Sequence, residues 1–380
     1  MNSVYFDNAA TTPIRAEVID VITEVMKNNF GNPSSSHSFG RSSKVLLEKS
    51  RKTIASYLNV SASEIIFTSG GTEADNLVLN SVVKDLNITH IIISKIEHHA
   101  VLHTVEKLKR DFNIKLSYVD LDEFGNIDFK HLESLLQIKA KTLVSLMHVN
   151  NEIGNILDIK RVADLCKLNN ALFHSDAVQS VGHYKMDLQD IPVDFLAASA
   201  HKFYGPKGVG FAFVRKNSGL RPLIIGGEQE RGLRAGTESI HNIVGMEVAL
   251  KNAYVNLDKE TGHVKELKQY FIDGIKKVIP EVKFNGDSYS LVKSTYTLVN
   301  ICLPIALEKS AMLLFQLDLK GIACSKGSAC QSGSSQNSHV LTEILNDDDL
   351  QKPSIRFSFS IYNTKEEIDY VIGVLKEFIE

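Results

Sequence analysis

The chain has 380 residues, which is long enough for two to three domains at about 100–200 residues each. A net charge of −3 without any run of lysine and arginine argues against nucleic-acid binding, and no apolar stretch approaches the roughly 20 residues of a membrane span. Four cysteines are too few for a disulfide framework, and the N-terminus lacks the basic and apolar segments of an export signal, so we expect a cytoplasmic protein with free thiols.

Short β-rich apolar runs alternate with amphipathic helical segments through the first half of the chain. Strands are predicted at 64–69, 90–94, 142–149, 171–177 and 194–199, with helices that begin near residues 72, 98 and 158. This alternation of nearly continuous apolar strands with helices predicts an α/β fold whose mostly parallel sheet is covered on both faces. Ligands of such sheets bind beyond the carboxyl ends of the strands.

The pattern changes in the second half of the chain. Residues 240–278 predict a long helix or a helix pair, followed by a strand in "YTLVNICL", a helix near 308–319, a strand in "SIRFSFS" and a helix near 364–379. We interpret residues 15–251 as a large domain. Residues 1–14 and 252–380 are predicted to form a smaller α+β domain, which includes a Ser/Gly-rich loop at about 325–338.

The stretch "TSGGTEADN" (68–76) leads from a strand through two glycines into a helix. Glycine lets a backbone approach a ligand closely, and the free N–H groups at a helix start favour an anion. An ordinary strand-to-helix turn with Thr72 as the N-cap explains this motif equally well.

Two further strand ends carry groups suited to a heterocyclic cofactor. Asp176, in "HSDAVQS", could pair with a protonated ring nitrogen, although a helix N-cap is the commoner role for such an aspartate. In "SAHKFYGPKGVG", Lys202 follows another strand, and a lysine among apolar neighbours can form a Schiff base. The glycines after it lead into a strand instead of a helix, which excludes a nucleotide-binding loop.

The histidines suggest a metal site at first sight. His99 and His103 have i, i+4 spacing on a predicted helix, but the glutamate of H-E-x-x-H and a convincing third ligand are missing, so we predict no metal. His98, at the preceding turn, is better placed to cover a flat cofactor ring.

Two residues in the second half of the chain need an explanation. Arg356 stands in a short apolar strand, where an unpaired charge is costly, so it needs a substrate carboxylate or a structural salt bridge. Cys330 stands in "SKGSACQSG", among small polar residues that predict an exposed, mobile loop. An incidental cysteine in a linker is the alternative.

Together these motifs resemble the cysteine desulfurases of the NifS/IscS type, pyridoxal-phosphate enzymes with the aspartate-aminotransferase fold (fold type I). The resemblance runs nearly end to end, with order and spacing preserved. It rests on "YFDNAATTP", "TSGGTEADN", "EHHAVL", "MHVNNEIG", "HSDAVQSVG", "SAHKFYGPKGVG", "ERGLRAGTES", "GSACQSG" and "SIRFSFS".

The resemblance implies a role for each matched residue. Lys202 corresponds to the lysine that binds pyridoxal 5′-phosphate and moves the Cα proton, and Asp176 to the partner of the ring nitrogen. His98 would stack on the ring and move protons, and Cys330 would receive the substrate sulfur as a persulfide. The other matches are Gly71, Thr72, Ser199 and His201 for the phosphate, Gln179 for the phenolic oxygen, Asn151 and Arg356 for the cofactor oxygen side and the substrate carboxylate, and Thr237 for a residue supplied by the neighbouring subunit of a homodimer.

The implied reaction converts L-cysteine to L-alanine and passes sulfur to an iron–sulfur scaffold or another acceptor protein. An aminotransferase of the same fold would have no use for the thiol in "GSACQSG". A selenocysteine lyase is a closer alternative, and a scaffold protein that lost its chemistry is disfavoured by the presence of Lys202, Asp176 and His98.

Overall fold

The computed structural model of the protein describes residues 3–305, 312–327 and 338–379. Its strands are β1 (Val4–Tyr5), β2 (Ile65–Thr68), β3 (His90–Ile93), β4 (Lys115–Tyr118), β5 (Thr142–Ser145), β6 (Leu172–Asp176), β7 (Phe195–Ser199), β8 (Gly210–Val214), β9 (Lys283–Phe284), β10 (Leu298–Cys302), β11 (Ile322–Ala323) and β12 (Ser354–Ser358). The α-helices are α1 (Ala16–Asn28), α2 (Ser38–Tyr57), α3 (Gly71–Leu86), α4 (His99–Phe112), α5 (Phe129–Leu136), α6 (Ile159–Leu168), α7 (Ile240–Val255), α8 (Leu257–Val278), α9 (Leu313–Leu319), α10 (His339–Ile344), α11 (Asp347–Leu350) and α12 (Lys365–Ile379).

Seven strands form the large sheet, in the order β2-β8-β7-β6-β5-β3-β4. Strand β8 is antiparallel to both of its neighbours, and the other neighbouring pairs are parallel. Successive side chains enter opposite faces: Ile65 and Phe67 pack into one buried apolar cluster, and Ile66 packs into another. Both faces are covered, so every residue of β2, β3, β5 and β7 is buried and most of them are apolar. The predicted α/β fold with a mostly parallel sheet is confirmed.

The parallel strands also place the chemically interesting residues. Since their carboxyl ends meet at one edge of the sheet, the segments that follow β3, β5, β6 and β7 approach one another there. These segments carry His98, Asn151, Asp176 and Lys202.

A second, smaller sheet has the order β12-β10-β9 and is antiparallel. Its apolar core includes Phe6 from the start of the chain, Phe271 from α8, and Phe357 and Phe359 from β12 and its continuation. A separate two-stranded parallel pair joins β1 to β11. The division into domains at residues 14, 251 and 252 stays a prediction, although the chain start does lie against these C-terminal elements.

The segment 240–278 forms a helix pair that meets at Asn256, which is one of the two forms predicted for it. The helix predicted near 308–319 is described from Leu313, since 306–311 lie outside the described residues. Thr72 is not an N-cap: the capping position of α3 is Gly70, and Thr72 lies in the first turn. Among the described residues, no helix combines the length and apolarity needed to cross a lipid bilayer.

Candidate active site

A cavity of about 450 Å³ opens at the carboxyl ends of the parallel strands. It brings together ten residues that the sequence singles out: Gly71, Thr72, His98, Asn151, Asp176, Gln179, Ser199, His201, Lys202 and Arg356. They come from six different segments of the chain, so the cavity is built by the folded sheet.

One wall of the cavity is the turn from β2 into α3. Gly70 has φ +154°, a conformation that only glycine adopts readily, and it leaves the start of α3 without a capping side chain. A Cβ added at Gly71 would lie 2.4 Å from Val178 Cγ2. Because the first N–H groups of a helix have no intrahelical acceptor, this close-packed turn can present them to an anion.

Ser199 and His201 stand next to the same turn. A Cβ added at Gly70 would lie 3.5 Å from Ser199 Oγ, and the Nδ1 atom of His201 is buried without a hydrogen-bond partner among the described residues. Burial and the nearby ammonium groups of Lys202 and Lys207 lower the pKa of His201 to about 4. A neutral, unpartnered imidazole nitrogen can serve a polar ligand.

The ammonium group of Lys202 contacts the N-terminal segment of the chain. Its Nζ atom donates to the carbonyl oxygens of Ala9 (2.5 Å) and Ala10 (2.8 Å). Gln179 Nε2 donates to the same Ala9 oxygen at 3.0 Å. Two backbone carbonyls therefore hold Lys202 and Gln179 on the same side of the cavity.

Asp176 and His98 are titratable groups on the cavity wall at the end of β6. Asp176 Oδ1 accepts a hydrogen bond from Val178 N–H at 2.9 Å, and no helix of the described chain begins there, so the aspartate closes a turn and is not a helix cap. Burial raises the pKa of Asp176, against the opposing effects of His98 and Lys202. Two more buried carboxyl groups, Asp75 and Glu97, lie close enough to influence its charge.

His98 is the N-cap of α4, and its Nδ1 accepts a hydrogen bond from Ala100 N–H at 3.1 Å. Burial lowers its pKa, so the neutral ring is favoured, and the accepted bond leaves its proton on Nε2. The same ring can therefore cap a helix and present an N–H group.

Arg356 is 1% exposed and forms the structural salt bridge that is one of its two interpretations, while its substrate-carboxylate role stays a prediction. It forms a salt bridge with Asp7, in which NH2 lies 2.9 Å from Oδ1, while NH1 donates to the Asn151 carbonyl at 2.7 Å. It also lines the cavity, and its Nε atom is buried without a partner among the described residues. The guanidinium group is thus fixed in position and still has donors for a carboxylate.

Thr237 does not line this cavity and is exposed on the single chain. Cys330 lies outside the described residues. Its neighbour in sequence, Cys324, lies at the end of β11, where burial and the charge of Asp7 raise the pKa of the thiol to about 12. Cys324 is therefore a poor nucleophile at neutral pH.

The histidines considered as metal ligands form a stacked group. The ring centroid of His99 lies 4.8 Å from that of His103 and 4.4 Å from that of His339. In the parts of the chain that the structure describes, no group of three or more histidine, cysteine or acidic side chains is arranged to hold a metal ion.

Sequence reasoning missed several residues of the site. Ala9 and Ala10 contribute only backbone carbonyls, so their side chains carried no chemical signal, although "YFDNAATTP" contains them. Asp75 lines the cavity from the second turn of α3, and burial raises its pKa well above the usual value. A carboxylate on the apolar face of a helix, three residues after Thr72, was the available signal for it.

The whole chain has close relatives in both sequence and structure. Residues 4–371 match the family model described as Aminotransferase class-V. "Cysteine desulfurase IscS" of Dictyoglomus turgidum is 43% identical over 99% of this chain and 94% of its own length, and "Putative cysteine desulfurase IscS 1" of Bacillus subtilis is 40% identical over 97% and 96%. A solved structure named "NIFS-LIKE PROTEIN" covers 100% of this chain and 99% of its own at 35% identity, with a TM-score of 0.90, and "SspA in complex with cysteine" covers 95% and 100% at 31% identity, with a TM-score of 0.81. The resemblance drawn from the motifs thus extends over the full length, and the chain belongs to the class-V aminotransferase family.

Proposed function

We propose that the protein is a pyridoxal-phosphate-dependent cysteine desulfurase that converts L-cysteine to L-alanine and leaves the sulfur on Cys330. This proposal rests mainly on one observation: Lys202, Asp176 and His98 line the same cavity, next to the N-terminus of α3 with its two glycines. The names of its relatives, which are cysteine desulfurases at 38–43% identity, support the same reaction.

The residues present fit pyridoxal phosphate. The start of α3 at Gly71 and Thr72, with Ser199 and His201 beside it, offers donors for the phosphate, and the unpartnered Nδ1 of His201 is suited to a polar ligand there. Asp176 offers a buried carboxylate for the ring nitrogen. When bound, the cofactor would condense with amino groups and accept the electrons of a bond broken at the substrate Cα.

Three residues of the chain have separate roles in the reaction. Lys202 Nζ moves the proton of the substrate Cα, since an amine next to a buried carboxylate and held by two carbonyls is well placed to give and take a proton. The carboxylate of Asp176 keeps a proton on the nitrogen that faces it. Arg356 holds the substrate carboxylate, while its bonds to Asp7 and the Asn151 carbonyl fix its orientation.

Sulfur transfer needs a thiolate, and we assign it to Cys330. Its sulfur attacks the sulfur of the bound cysteine, so an S–S bond forms as the C–S bond breaks, and the carbon that loses sulfur gains a proton. Overall, L-cysteine and one protein thiol give L-alanine and one persulfide, with no other oxidant or reductant. An acceptor protein, such as an iron–sulfur scaffold, would then take the sulfur.

A homodimer in the cytoplasm is part of the same proposal. Thr237 is exposed on one chain, which suits a residue that serves the neighbouring subunit's site. Phe30 and Phe39 are 72% and 55% exposed and stack with ring centroids 5.3 Å apart. Aromatic surface of this kind favours association, and we assign it to a second copy of the chain.

The direct test incubates the purified protein with L-cysteine and a thiol reductant and measures alanine and sulfide. We expect equal amounts of the two products. Cys330→Ser should keep the cofactor absorbance and its shift on adding cysteine but release almost no sulfide, because serine cannot form a persulfide.

Cys324→Ser is the matched control, since its thiol is six residues away and has a raised pKa. It should keep most of the activity. Full sulfide release by Cys330→Ser, or a persulfide mapped to Cys324 by mass spectrometry, would contradict the assignment.

A further inference from the structure

Glu152 is a buried acidic residue to which the proposed chemistry gives no role. It follows Asn151 in the turn after β5 and is 0% exposed. Its Oε1 atom is buried and has no hydrogen-bond partner among the described residues. An incompletely satisfied buried carboxylate is costly, so a position that holds one calls for an explanation beyond packing.

The carboxylate lies between the two ends of segment 328–337, the part of the chain that contains Cys330. Ser338, at the far end, donates its hydroxyl to Glu152 Oε2 at 2.5 Å. At the near end Gly327 is buried against the same oxygen: a Cβ added there would lie 2.9 Å from Oε2 and 3.4 Å from Ser338 Cβ. One oxygen atom therefore binds Ser338 and lies next to Gly327, with no room for a side chain at Gly327.

Each end also has its own attachment to the body of the protein. On the near side, the backbone of Ser325 pairs with that of Arg356 through two hydrogen bonds of 2.7 and 3.3 Å. On the far side, Val340 and Leu341 of α10 pack into an apolar cluster with Ile153, the residue after Glu152. These attachments hold the two ends separately, whereas Glu152 joins them to each other.

The turn that carries Glu152 is rigid. Asn150 Oδ1 accepts hydrogen bonds from the N–H groups of Glu152 (2.9 Å) and Ile153 (3.0 Å), and Asn300 Nδ2 donates to the Glu152 carbonyl at 3.0 Å. The same turn includes Asn151, whose carbonyl holds Arg356. The bonds to Asn150 and Asn300 use the backbone of Glu152, so the turn keeps its shape when only the carboxylate is changed, and such a change acts on the two ends of the segment.

We infer that Glu152 is a positioning residue for sulfur transfer: its carboxylate ties Gly327 and Ser338, and with them the two ends of the Cys330 segment, to the turn that holds Arg356. This role rests on the proposed function. The carboxylate does not touch the reacting atoms. It acts by fixing the positions of Gly327 and Ser338, the residues that flank the segment.

The first test replaces the carboxylate by an amide of the same shape, Glu152→Gln, in the enzyme with its cofactor. Hydrogen exchange followed by mass spectrometry should show faster exchange in peptides covering both 321–327 and 338–345. The expected factor is about tenfold, because a hydrogen bond from Ser338 to a charged acceptor is replaced by a weaker one to a neutral amide. Glu247→Gln, at a buried glutamate of α7, should leave both peptides unchanged.

The same variant separates binding from sulfur transfer. The cysteine concentration that half-saturates the absorbance change should stay within about twofold of the wild type, while kcat for sulfide release falls about tenfold. If Glu152 only stabilised the fold, the variant would have a lower thermal stability but would not combine normal cysteine binding with a reduced kcat.

A double-mutant cycle keeps the inference testable if Glu152→Gln folds poorly. Gly327→Ala should accelerate exchange at Ser338 in the wild type, because the new methyl group displaces the Glu152 carboxylate. It should have little further effect in Glu152→Ala, where the space is empty.

Equal effects of Gly327→Ala in both backgrounds, or unchanged exchange in Glu152→Gln, would overturn the inference. A wild-type protein that makes no alanine from cysteine would instead overturn the proposed function, and the exchange data would still decide the role of Glu152 in joining the two ends.

Discussion

The charge of Asp176 depends on its buried surroundings. Burial raises its pKa, and the carboxyl groups of Asp75 and Glu97 lie nearby, with the pKa of Glu97 raised to about 8 mainly by burial. The ammonium group of Lys202 and the hydrogen bond from Val178 N–H favour the ionised form of Asp176. At neutral pH the protons of this group are therefore best placed on Asp75 and Glu97, which leaves Asp176 as the carboxylate that we propose as the partner of the ring nitrogen.

Asp176→Asn tests this arrangement. We expect the variant to keep its cofactor and lose about 10²–10⁴-fold in the rate of alanine formation, because a neutral amide cannot hold a proton on the facing nitrogen. Initial rates and the cofactor absorbance are the measurements. Asp187→Asn, an exposed aspartate that binds Asn59, is the control and should behave as wild type, and near-normal activity of Asp176→Asn would reduce that residue to closing a turn.

At the level of secondary structure, α3 is the element on which the proposed cofactor binding depends most. Its N-terminus lies at the cavity because the turn before it is closely packed: a Cβ added at Gly210 of β8 would lie 2.8 Å from the Gly70 Cα, and one at Gly71 would lie 2.4 Å from the Cγ2 atom of Val178. This packing has no room for a methyl group, so small residues are required on both sides of the turn.

Gly71→Ala should therefore weaken cofactor binding by about 10–100-fold, the effect of forcing one methyl group into a packed site. Equilibrium titration of the cofactor measures this, and Gly71→Ala combined with Val178→Ala should recover much of the loss. Gly262→Ala, in the open surroundings of α8, is the control and should stabilise the protein by about 0.5–1 kcal/mol. Unchanged affinity in Gly71→Ala would show that the start of α3 does not hold the phosphate.

The sequence predicts the elements whose burial is uniform and misses those whose buried faces are polar. Strands such as β3 and β5 are buried throughout and contain short apolar runs, so their positions follow from composition. Helix α2 buries Gly40, Ser43 and Arg51, and Arg51 pairs with Glu230 at 2.6 and 2.9 Å, so its apolar periodicity is broken and it was not predicted.

Site residues divide in a similar way. Lys202 and Asp176 could be predicted because each follows an apolar strand, where a charged group stands out. The direction of each strand decides which other residues lie at the cavity. The antiparallel direction of β8 depends on the short connection from β7, and this connection has no sequence pattern that predicts it. Two further features depend on tertiary contacts and could not be predicted. One is the binding of Lys202 by the carbonyls of Ala9 and Ala10, and the other is the contact of Glu152 with Ser338, which is far from it in sequence.

For the whole molecule, we proposed that Thr237 of one subunit serves the active site of the other subunit in a homodimer. This proposal can be tested with two variants. Lys202→Ala and Thr237→Asp are each expected to be inactive or nearly so. The first loses the amine, and the second would bring a carboxylate to the neighbouring subunit's site, where it would repel an anionic cofactor. In a mixed dimer both changes fall in one site and the other site is intact, so unfolding and refolding an equal mixture should restore about a quarter of wild-type activity.

Alanine production by the refolded mixture, compared with each variant refolded alone, is the measurement. Restoration would not occur if Thr237 served its own chain, since every site would then carry one of the two changes. A monomer in sedimentation at assay concentrations would contradict the dimer directly.

The first dozen residues also have a consequence for the timing of synthesis. Val4 pairs with Ile322 and Asp7 with Ser358, yet the seven-stranded sheet is complete at Val214. At about 5–20 residues per second, a ribosome needs roughly 20–70 s to make the intervening chain, and the N-terminal segment must wait that long for its partners. The carbonyls that hold Lys202 lie in that segment. The cavity around Lys202 can therefore form completely only after β12 has been translated, and a chain that terminates before β12 cannot complete it.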